Sequence, residues 1–452
     1  MRHPLIDVPE LVRLASGVEI IRIPNEIDVP FTPRVRALVD TAPFQRLRQI
    51  SQLGLVSLVY PGATHSRFEH VLGVFHNALR YLWQLGKDER FAGLVSPHQA
   101  ETLLAAALLH DLGHWPFCHP IEDMGLGELP PHEELAGRFL EEGGEIASVL
   151  RGQWGVDPQE VLEILAPTPG PANPALRLLR SILSGPIDID KMDYLERDSL
   201  HCGVPYGRNF DKQRLIQSLV LNAEGDGVAI SSKGKTAAEL MVFARYVMFS
   251  EVYWHHTVRA ATAMFARAFH ELRGRVHYAE LFHATDRELI ESLRGFAKGG
   301  PAETLVEGLF GARRGIYKRV LEATPRTHPE IFRGLAHRRF ADLAGAAERI
   351  ARGAAARWGV DVRACDVLID APPREKEIQF RVDIFHRKEG RYQPLDEASP
   401  IIASLAREQF DEYVKRVRVF ARPDIARDLS GRADLPDLIR EAIGTETAAT
   451  GG

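Results

Sequence analysis

The spacing of apolar and polar positions divides the chain into long helical stretches followed by a region of different texture. Between Ser96 and His110, Leu103, Leu104, Ala107 and Leu108 recur with the period of a helix buried along one face. Ser96 is placed to cap that helix, Pro97 suits its first turn, and Gly113 and Pro116 end it. Arg34 to Leu85 carries the same period, broken at Tyr60-Pro61-Gly62. A helix is expected from Ala175 to Gly185-Pro186, another from Ile189, and one long amphipathic helix from Ala237 to about Gly274; further helices fill 280–358. Residues 1–33 set short apolar runs between Pro24, Pro30 and Pro33 and read as strand or irregular lead-in. Leu219–Ser231 reads as a hairpin turning at Glu224-Gly225-Asp226-Gly227.

From Cys365 the texture changes. Val367–Ile369, Glu377–Phe385 and Arg416–Phe420 look like strands. Pro167–Pro174 is a Pro/Gly-rich loop, and the last dozen residues, rich in Thr, Ala and Gly, read as a loose tail. The expected protein is mostly α, with a small β-hairpin and a C-terminal α+β appendage. Its divisions are a lead-in (1–33), a helical core (34–275), a helical extension (276–364), a small α+β region (365–440) and a tail (441–452).

Composition narrows the class. With 452 residues, 45% apolar content and a net charge of −5 with both signs interspersed, the chain can bury a sizeable core and is not built to coat nucleic acid. Cys118, Cys202 and Cys365 form neither a disulfide framework nor a CxxC zinc site. A reducing cytoplasm is the simple expectation. Charges stand near the N-terminus where a signal peptide would be apolar, and no window approaches a membrane span.

The chemistry concentrates in two short stretches, His65-Ser-Arg-Phe-Glu-His70 and His110-Asp-Leu-Gly-His114, together with Asp190. His70, His110, Asp111 and Asp190 offer a mixed imidazole and carboxylate set. Such a set suits manganese, magnesium, iron or nickel better than a structural zinc site. An adjacent His-Asp pair at a helix end would be costly to bury without partners. In Asp188–Asp198, helical spacing puts Asp190, Tyr194 and Asp198 on one face beside apolar neighbours, as in a lined pocket. The alternative is a solvated acidic face carrying an Asp193–Arg197 pair. Lys191 is placed to offer an ammonium to a phosphate.

Other signals are weaker. Ala229–Thr236 nearly fits a phosphate-binding loop but has alanine for its first glycine and follows a hairpin, so a turn into the next helix is expected. His255 and His256 diverge on a helix, so at most one could face a site. Cys118 reads as a small buried side chain.

The order His70, His110-Asp111, Asp190 resembles the signature of the HD phosphohydrolase superfamily. The surrounding text, Phe44–Gly54, Tyr60–Gly73, Leu108–His119 and Asp188–Asp198, resembles its deoxynucleoside triphosphate triphosphohydrolases, well over residues 35–270 and weakly to about 422. The resemblance implies a mostly helical fold around a divalent metal. It also implies hydrolysis at the α-phosphorus, giving a deoxynucleoside and inorganic triphosphate. By matching positions, His70, His110, Asp111 and Asp190 hold the ion. His114 and His132 contact the α-phosphate, and His119, oriented by Glu122, protonates the departing oxygen. Lys191, Tyr194 and Arg245 meet the outer phosphates. Gln52, Leu53, Arg67 and Asp198 surround the sugar, and Tyr253 disfavours a 2′-hydroxyl. A triphosphate carries about four negative charges, which calls for such cations. Arg245 and Tyr253, eight residues apart on one expected helix, would share a face. His119 precedes Glu122 by one turn, a spacing that tunes a proton donor.

Three positions depart from the family pattern: Trp115 stands where relatives carry glycine and is expected to reshape the entry, Glu122 replaces aspartate, and Trp254 lies where the base would bind. Asp40, Gln45 and Arg48 match residues that read a guanine effector, a GTP or a dNTP, but the loop before them is replaced by Ile23-Pro-Asn-Glu-Ile27. The resemblance further implies a homo-oligomer. Two alternatives remain: an HD phosphohydrolase acting on a monophosphate, cyclic nucleotide or other phosphate ester, and a non-hydrolytic nucleotide sensor or single-strand binder.

Overall fold

The computed structural model describes residues 3–166, 173–372, 382–405, 414 and 416–444. It is mostly helical, with three small sheets among the described residues. The loop expected over Pro167–Pro174 lies outside the described residues except at its end, where Pro174 already opens a helix. Residues 377–381 of an expected strand and 445–452 of the expected tail also lie outside them.

The lead-in is not wholly irregular. Helix α1 (Pro9–Ser16) precedes an antiparallel hairpin of β1 (Ile20–Ile23) and β2 (Glu26–Pro30). Leu5, Val8 and Leu11 recur at three-residue spacing and are all fully buried, Pro9 sits in the first turn, and Gly17 at φ 66° closes the helix. Those start and stop signals were legible, but the neighbouring prolines masked them.

Helix α2 (Arg67–Leu85) and helix α3 (Pro97–Leu109) form the centre of the main core. As expected, Ser96 caps α3, here in a reciprocal capping box with Gln99 behind Pro97. Residues 102–109 of α3 are buried all round, so the helix is locked on every side and its C-terminus is held firmly. Helix α4 (Cys118–Glu122), helix α5 (His132–Phe139) and helix α6 (Ile189–His201) close around that end.

The single helix expected over Ala237–Gly274 is two. Helix α7 (Lys235–Met248) loosens into a π-type turn at Phe249–Tyr253, and helix α8 (His256–Leu272) restarts with His255 as its N-cap, its Nδ1 accepting from the Thr257 amide. No proline or glycine marks the break, which is why helical periodicity carried straight through it. Arg245 and Tyr253 stand on either side of the α7-to-π change, yet each contacts the Phe249 ring between them.

The hairpin is present as β3 (Leu219–Leu221) and β4 (Val228–Ser231). It continues into β7 (Asp383–His386), parallel to β4, and β8 (Arg391–Pro394). A third sheet runs β5–β9–β6, antiparallel throughout, from β5 (Lys318–Ala323), β6 (Val367–Asp370) and β9 (Val417–Ala421). Strand β5 lies inside a stretch expected to be helical. Its partner β9 is buried along its whole length, so tertiary pairing decides its state. Helix α9 (Phe340–Trp358) covers this sheet.

Candidate metal centre and cavity

Four side chains from three separated segments converge at the C-terminal end of α3. His70 comes from the first turn of α2, His110 caps α3, Asp111 follows it, and Asp190 lies in the first turn of α6. His70 Nε2 stands 3.0 Å from Asp190 Oδ1 and 3.3 Å from His110 Nε2. His110 Nε2 is 3.9 Å from Asp190 Oδ1 and 3.5 Å from Asp111 Oδ1. His70, His110 and Asp190 form a group whose donor atoms could take one ion.

The tautomers follow from the outer contacts. The Ala107 carbonyl can only accept, so His110 Nδ1–H donates to it at 2.9 Å and Nε2 keeps its lone pair. His70 Nδ1 likewise donates to Asp193 Oδ2 at 2.8 Å. Burial opposes a cationic His70, but hydrogen bonds to Asp190 and Asp193 outweigh it and push the group up to about 10. Burial also opposes ionisation of Asp111, yet the neighbouring Arg67 guanidinium above all holds that carboxyl well below its usual range. The point where these donors meet therefore favours positive charge. Two imidazole nitrogens and two carboxylates fit a divalent ion.

The support for His70 was not read from sequence. Asp193 accepts from Arg197 Nε at 2.7 Å and Nη2 at 2.6 Å, and Arg197 also reaches Glu69 at 2.6 Å and the Pro24 carbonyl at 3.0 Å. The alternative of a solvated Asp193–Arg197 pair is thus corrected: the pair forms, but Arg197 is fully buried. Gly73 makes room for it, since a Cβ there would lie 1.8 Å from Asp193 Oδ1. His65, also passed over, donates from Nε2 to Asp198 Oδ1 at 2.8 Å and stacks on His201. The only signal for it was its place in the His65–His70 segment.

Beside the metal centre opens a cavity of about 1540 Å³. Gln52, Leu53, Arg67, Tyr194, Asp198 and Tyr253 line one part and His119, Glu122 and His132 another. Tyr253 donates its hydroxyl to Asp198 Oδ2 at 2.6 Å; burial, then Asp198, pushes that phenol well above its usual range, so it stays protonated. Gln52 keeps a buried Oε1 with no hydrogen-bond partner among the described residues. Arg67 donates to Asp111 Oδ2 at 2.8 Å, which ties it to the metal centre.

Glu122 grips His132 more closely than His119. Its Oε1 is 2.9 Å from both the amide and Nδ1 of His132, whereas His119 Nδ1 is 3.5 Å from Oε2. Burial opposes the carboxylate, but these two imidazoles hold it well below its usual range. His114 is buried, with Nδ1 3.1 Å from Asp111 Oδ1; desolvation and Arg67 push it well below its usual value, so its ring is neutral. Gly113 brings α5 close, because a Cβ there would meet the His132 carbonyl at 2.1 Å.

Lys191 and Arg245 do not line this cavity. Lys191 Nζ donates to Asp188 Oδ2 at 2.5 Å and to the Gly185 carbonyl, and the Arg245 guanidinium lies over Phe249, 5.6 Å from its centroid. Both lie near enough for their charges to act on Tyr194. Trp115, expected to reshape the entry, is among the residues lining the cavity; its ring is buried and meets Phe282 edge-on. Trp254 is buried beneath Arg259, which pairs with Asp370 through two nitrogens. Near the start of α2, Gln45 donates to the Val39 carbonyl beside exposed Asp40 and accepts from Arg48 at 3.2 Å. The rejected phosphate-loop match is a short 3-10 turn leading into α7. No helix among the described residues is long and apolar enough to cross a membrane.

Two family models match: the HD domain over residues 67–198 and the HD associated region over 210–435. YwfO of Bacillus subtilis, an uncharacterized protein, is 37% identical over 238 residues, covering 52% of this chain and 51% of that one. The deoxynucleoside triphosphate triphosphohydrolase SAMHD1 of Homo sapiens is 29% identical over 291 residues, 58% of this chain and 46% of that protein. The chain thus spans about half the length of these relatives. A hypothetical protein of Aquifex aeolicus superposes with a TM-score of 0.67 at 27% identity over 88% of this chain and 95% of its own. A Bacteroides thetaiotaomicron phosphohydrolase, 24% identical, shares the fold with a TM-score of 0.61 over 88% and 96% of the two chains. The HD-associated match alone spans half of the sequence, and together with the HD match, which contains all four converging side chains, it shows that the chain belongs to the HD-domain phosphohydrolase family.

Proposed function

We propose that the protein hydrolyses deoxynucleoside triphosphates to a deoxynucleoside and inorganic triphosphate, using a divalent metal held by His70, His110, Asp111 and Asp190. The observation that carries this reading is the meeting of those four side chains beside a cavity edged by His119, His132 and the Tyr253–Asp198 pair. A bound divalent ion would supply Lewis acidity and lower the pKa of water.

The chain's own residues account for the rest. His119, whose side chain is 59% exposed, can reach a leaving 5′ oxygen and hand it a proton, with Glu122 Oε2 3.5 Å from its Nδ1. His132, held at Nδ1 by Glu122, offers its other nitrogen to the phosphate. Arg67 and neutral His114 flank Asp111 and supply donors to phosphate oxygens. Asp198 fixes the Tyr253 hydroxyl, and that ring forms the wall against which a 2′-hydroxyl would press. Lys191 and Arg245 contribute positive potential from behind Tyr194, and reach the outer phosphates only after leaving their present partners. Assembly into a homo-oligomer with GTP or a dNTP at Asp40, Gln45 and Arg48 belongs to the same reading.

A second reading, hydrolysis of another phosphate ester, is favoured by one observation: Trp254 and Arg259, locked by Asp370, wall the cavity where a base would lie. A panel of dNTPs, NTPs, monophosphates and cyclic nucleotides with defined metals, with and without GTP, separates the two. Triphosphate release from dNTPs supports the first reading. Turnover of the other esters with dNTPs inert supports the second, and no turnover of either class rejects both.

A further inference from the structure

We propose that His114, Cys118, His119 and His132 form a second metal site, distinct from the His70–His110–Asp111–Asp190 centre, that takes zinc or another thiophilic divalent cation. The four residues present one nitrogen or sulfur atom each, all within 4.8 Å of one another. A tetrahedral zinc ion with bonds of about 2.0–2.1 Å to nitrogen and about 2.3 Å to sulfur needs these donors about 3.3–3.6 Å apart. A closure of about 1 Å meets that requirement, and exposed His119 is free to turn.

The rings are arranged around a point. The His114 and His132 centroids are 3.8 Å apart, while His119 stands 5.2 Å from His114 and 5.4 Å from His132, steeply inclined to both. The cluster also has an outer support of the kind metal-bound imidazoles use. Glu122 accepts from His132 Nδ1 at 2.9 Å, which leaves the other nitrogen for a cation. Gly113 lets α5, which carries His132, pack close beside His114, and Cys118, His119 and His132 line the cavity, with Cys118 buried in its wall and His119 exposed.

Donor chemistry separates the two centres. The first offers only nitrogen and oxygen, whereas the second adds a sulfur and suits softer ions. Burial and the neighbouring Glu122 keep the Cys118 thiol protonated, so binding replaces S–H by a metal–sulfur bond and releases that proton to solvent, with no redox change. Under the proposed function, an ion held here removes His119 and His132 from the phosphate and inhibits hydrolysis.

Cobalt(II) is the probe, titrated into metal-stripped full-length protein. The expected result is a near-ultraviolet thiolate-to-cobalt charge-transfer band in the wild type and in Asp190→Asn, bleached by zinc and absent from Cys118→Ser. Zinc affinity at this site should fall at least about tenfold in Cys118→Ser. Absence of the band in the wild type, its persistence in Cys118→Ser, or equal zinc stoichiometry and affinity in the two proteins would overturn the proposal. A band present in the wild type with hydrolysis indifferent to zinc supports the site and counts instead against the role given to His119 and His132.

Discussion

Asp193→Asn tests how the metal centre is held. The carboxylate accepts from three donors: His70 Nδ1 at 2.8 Å, and Arg197 Nε and Nη2 at 2.7 and 2.6 Å. Asparagine keeps the shape but turns one acceptor into a donor. In either orientation a buried guanidinium loses its nearest counter-charge. If the NH2 replaces Oδ1 it opposes Arg197 Nη2; if it replaces Oδ2 it opposes both Arg197 Nε and His70 Nδ1, and the ring must move its proton to Nε2, the atom that would bind the metal. Loss of such an outer partner weakens metal affinity by about 10–100-fold, which is about 1.4–2.7 kcal/mol. Arg197 still has Glu69 and the Pro24 carbonyl, so destabilisation should stay below the ~3–5 kcal/mol of a broken buried pair. Free manganese measured by electron paramagnetic resonance during titration of stripped protein gives the affinity, and far-UV circular dichroism checks the fold. A folded Asp193→Asn protein that binds manganese within about threefold of wild type would refute the reasoning.

Other perturbations follow from the same geometry. Gly73→Ala puts a methyl 1.8 Å from Asp193 Oδ1 and 2.3 Å from Arg197 Nη2, so calorimetry should show a loss of about 1–3 kcal/mol together with weaker metal binding, and an unchanged Tm would count against the close approach. Tyr253→Ala removes the wall held by Asp198; the ratio of ribonucleotide to deoxynucleotide turnover, compared as kcat/KM, should rise about tenfold or more, and an unchanged ratio would discard that role. Burial opposes ionisation of Glu26, but the His76 hydrogen bond and Lys212 lower it from 4.5 to about 2. A depressed carboxylate stabilises the fold above its unfolded value and loses that contribution as pH falls from about 4.5 through about 2, here about 3 kcal/mol. Urea unfolding of wild type and Glu26→Gln should therefore differ at pH 7 and converge in acid; a gap independent of pH would deny the linkage.

Much of the helical framework was legible because its signals are local. Ser96-Pro97 and Gln99 start α3, Asp188 caps α6, and both act through backbone groups three residues away. What escaped depended on distant partners. The turn at Phe249–Tyr253 has no breaker residue; Tyr253 is tied to Asp198 on another helix, and His255 caps α8 with its own ring. Strand β5 exists through its pairing with β9, almost 100 residues away, as Lys318↔Ala421 to Ala323↔Val417.

The same distinction explains the site. The candidate ligand positions carried their own signal, because a His-Asp pair, a preceding His and a following Asp point to metal chemistry from residue type alone. The residues that orient them do not announce themselves: an Asp–Arg pair at i, i+4 is common on solvated helices. Burial changes its meaning here. Arg197, fully enclosed, joins Asp193 behind His70 to Glu69 of α2 and to the Pro24 carbonyl in the β1–β2 turn. That turn belongs to Ile23–Ile27, the segment that departs from the family's effector loop. Glu26, the first residue of β2 just after that turn, is itself clamped by His76 of α2 and by Lys212, which also pairs with Glu196 of α6. The turn is therefore fastened to α2 and α6, two of the three helices that present the candidate ligands, so a force that moves it acts on His70 through Arg197 and Asp193. Position by position the loop looks like a loss of family character; through its contacts it is part of the frame that sets the first ligand.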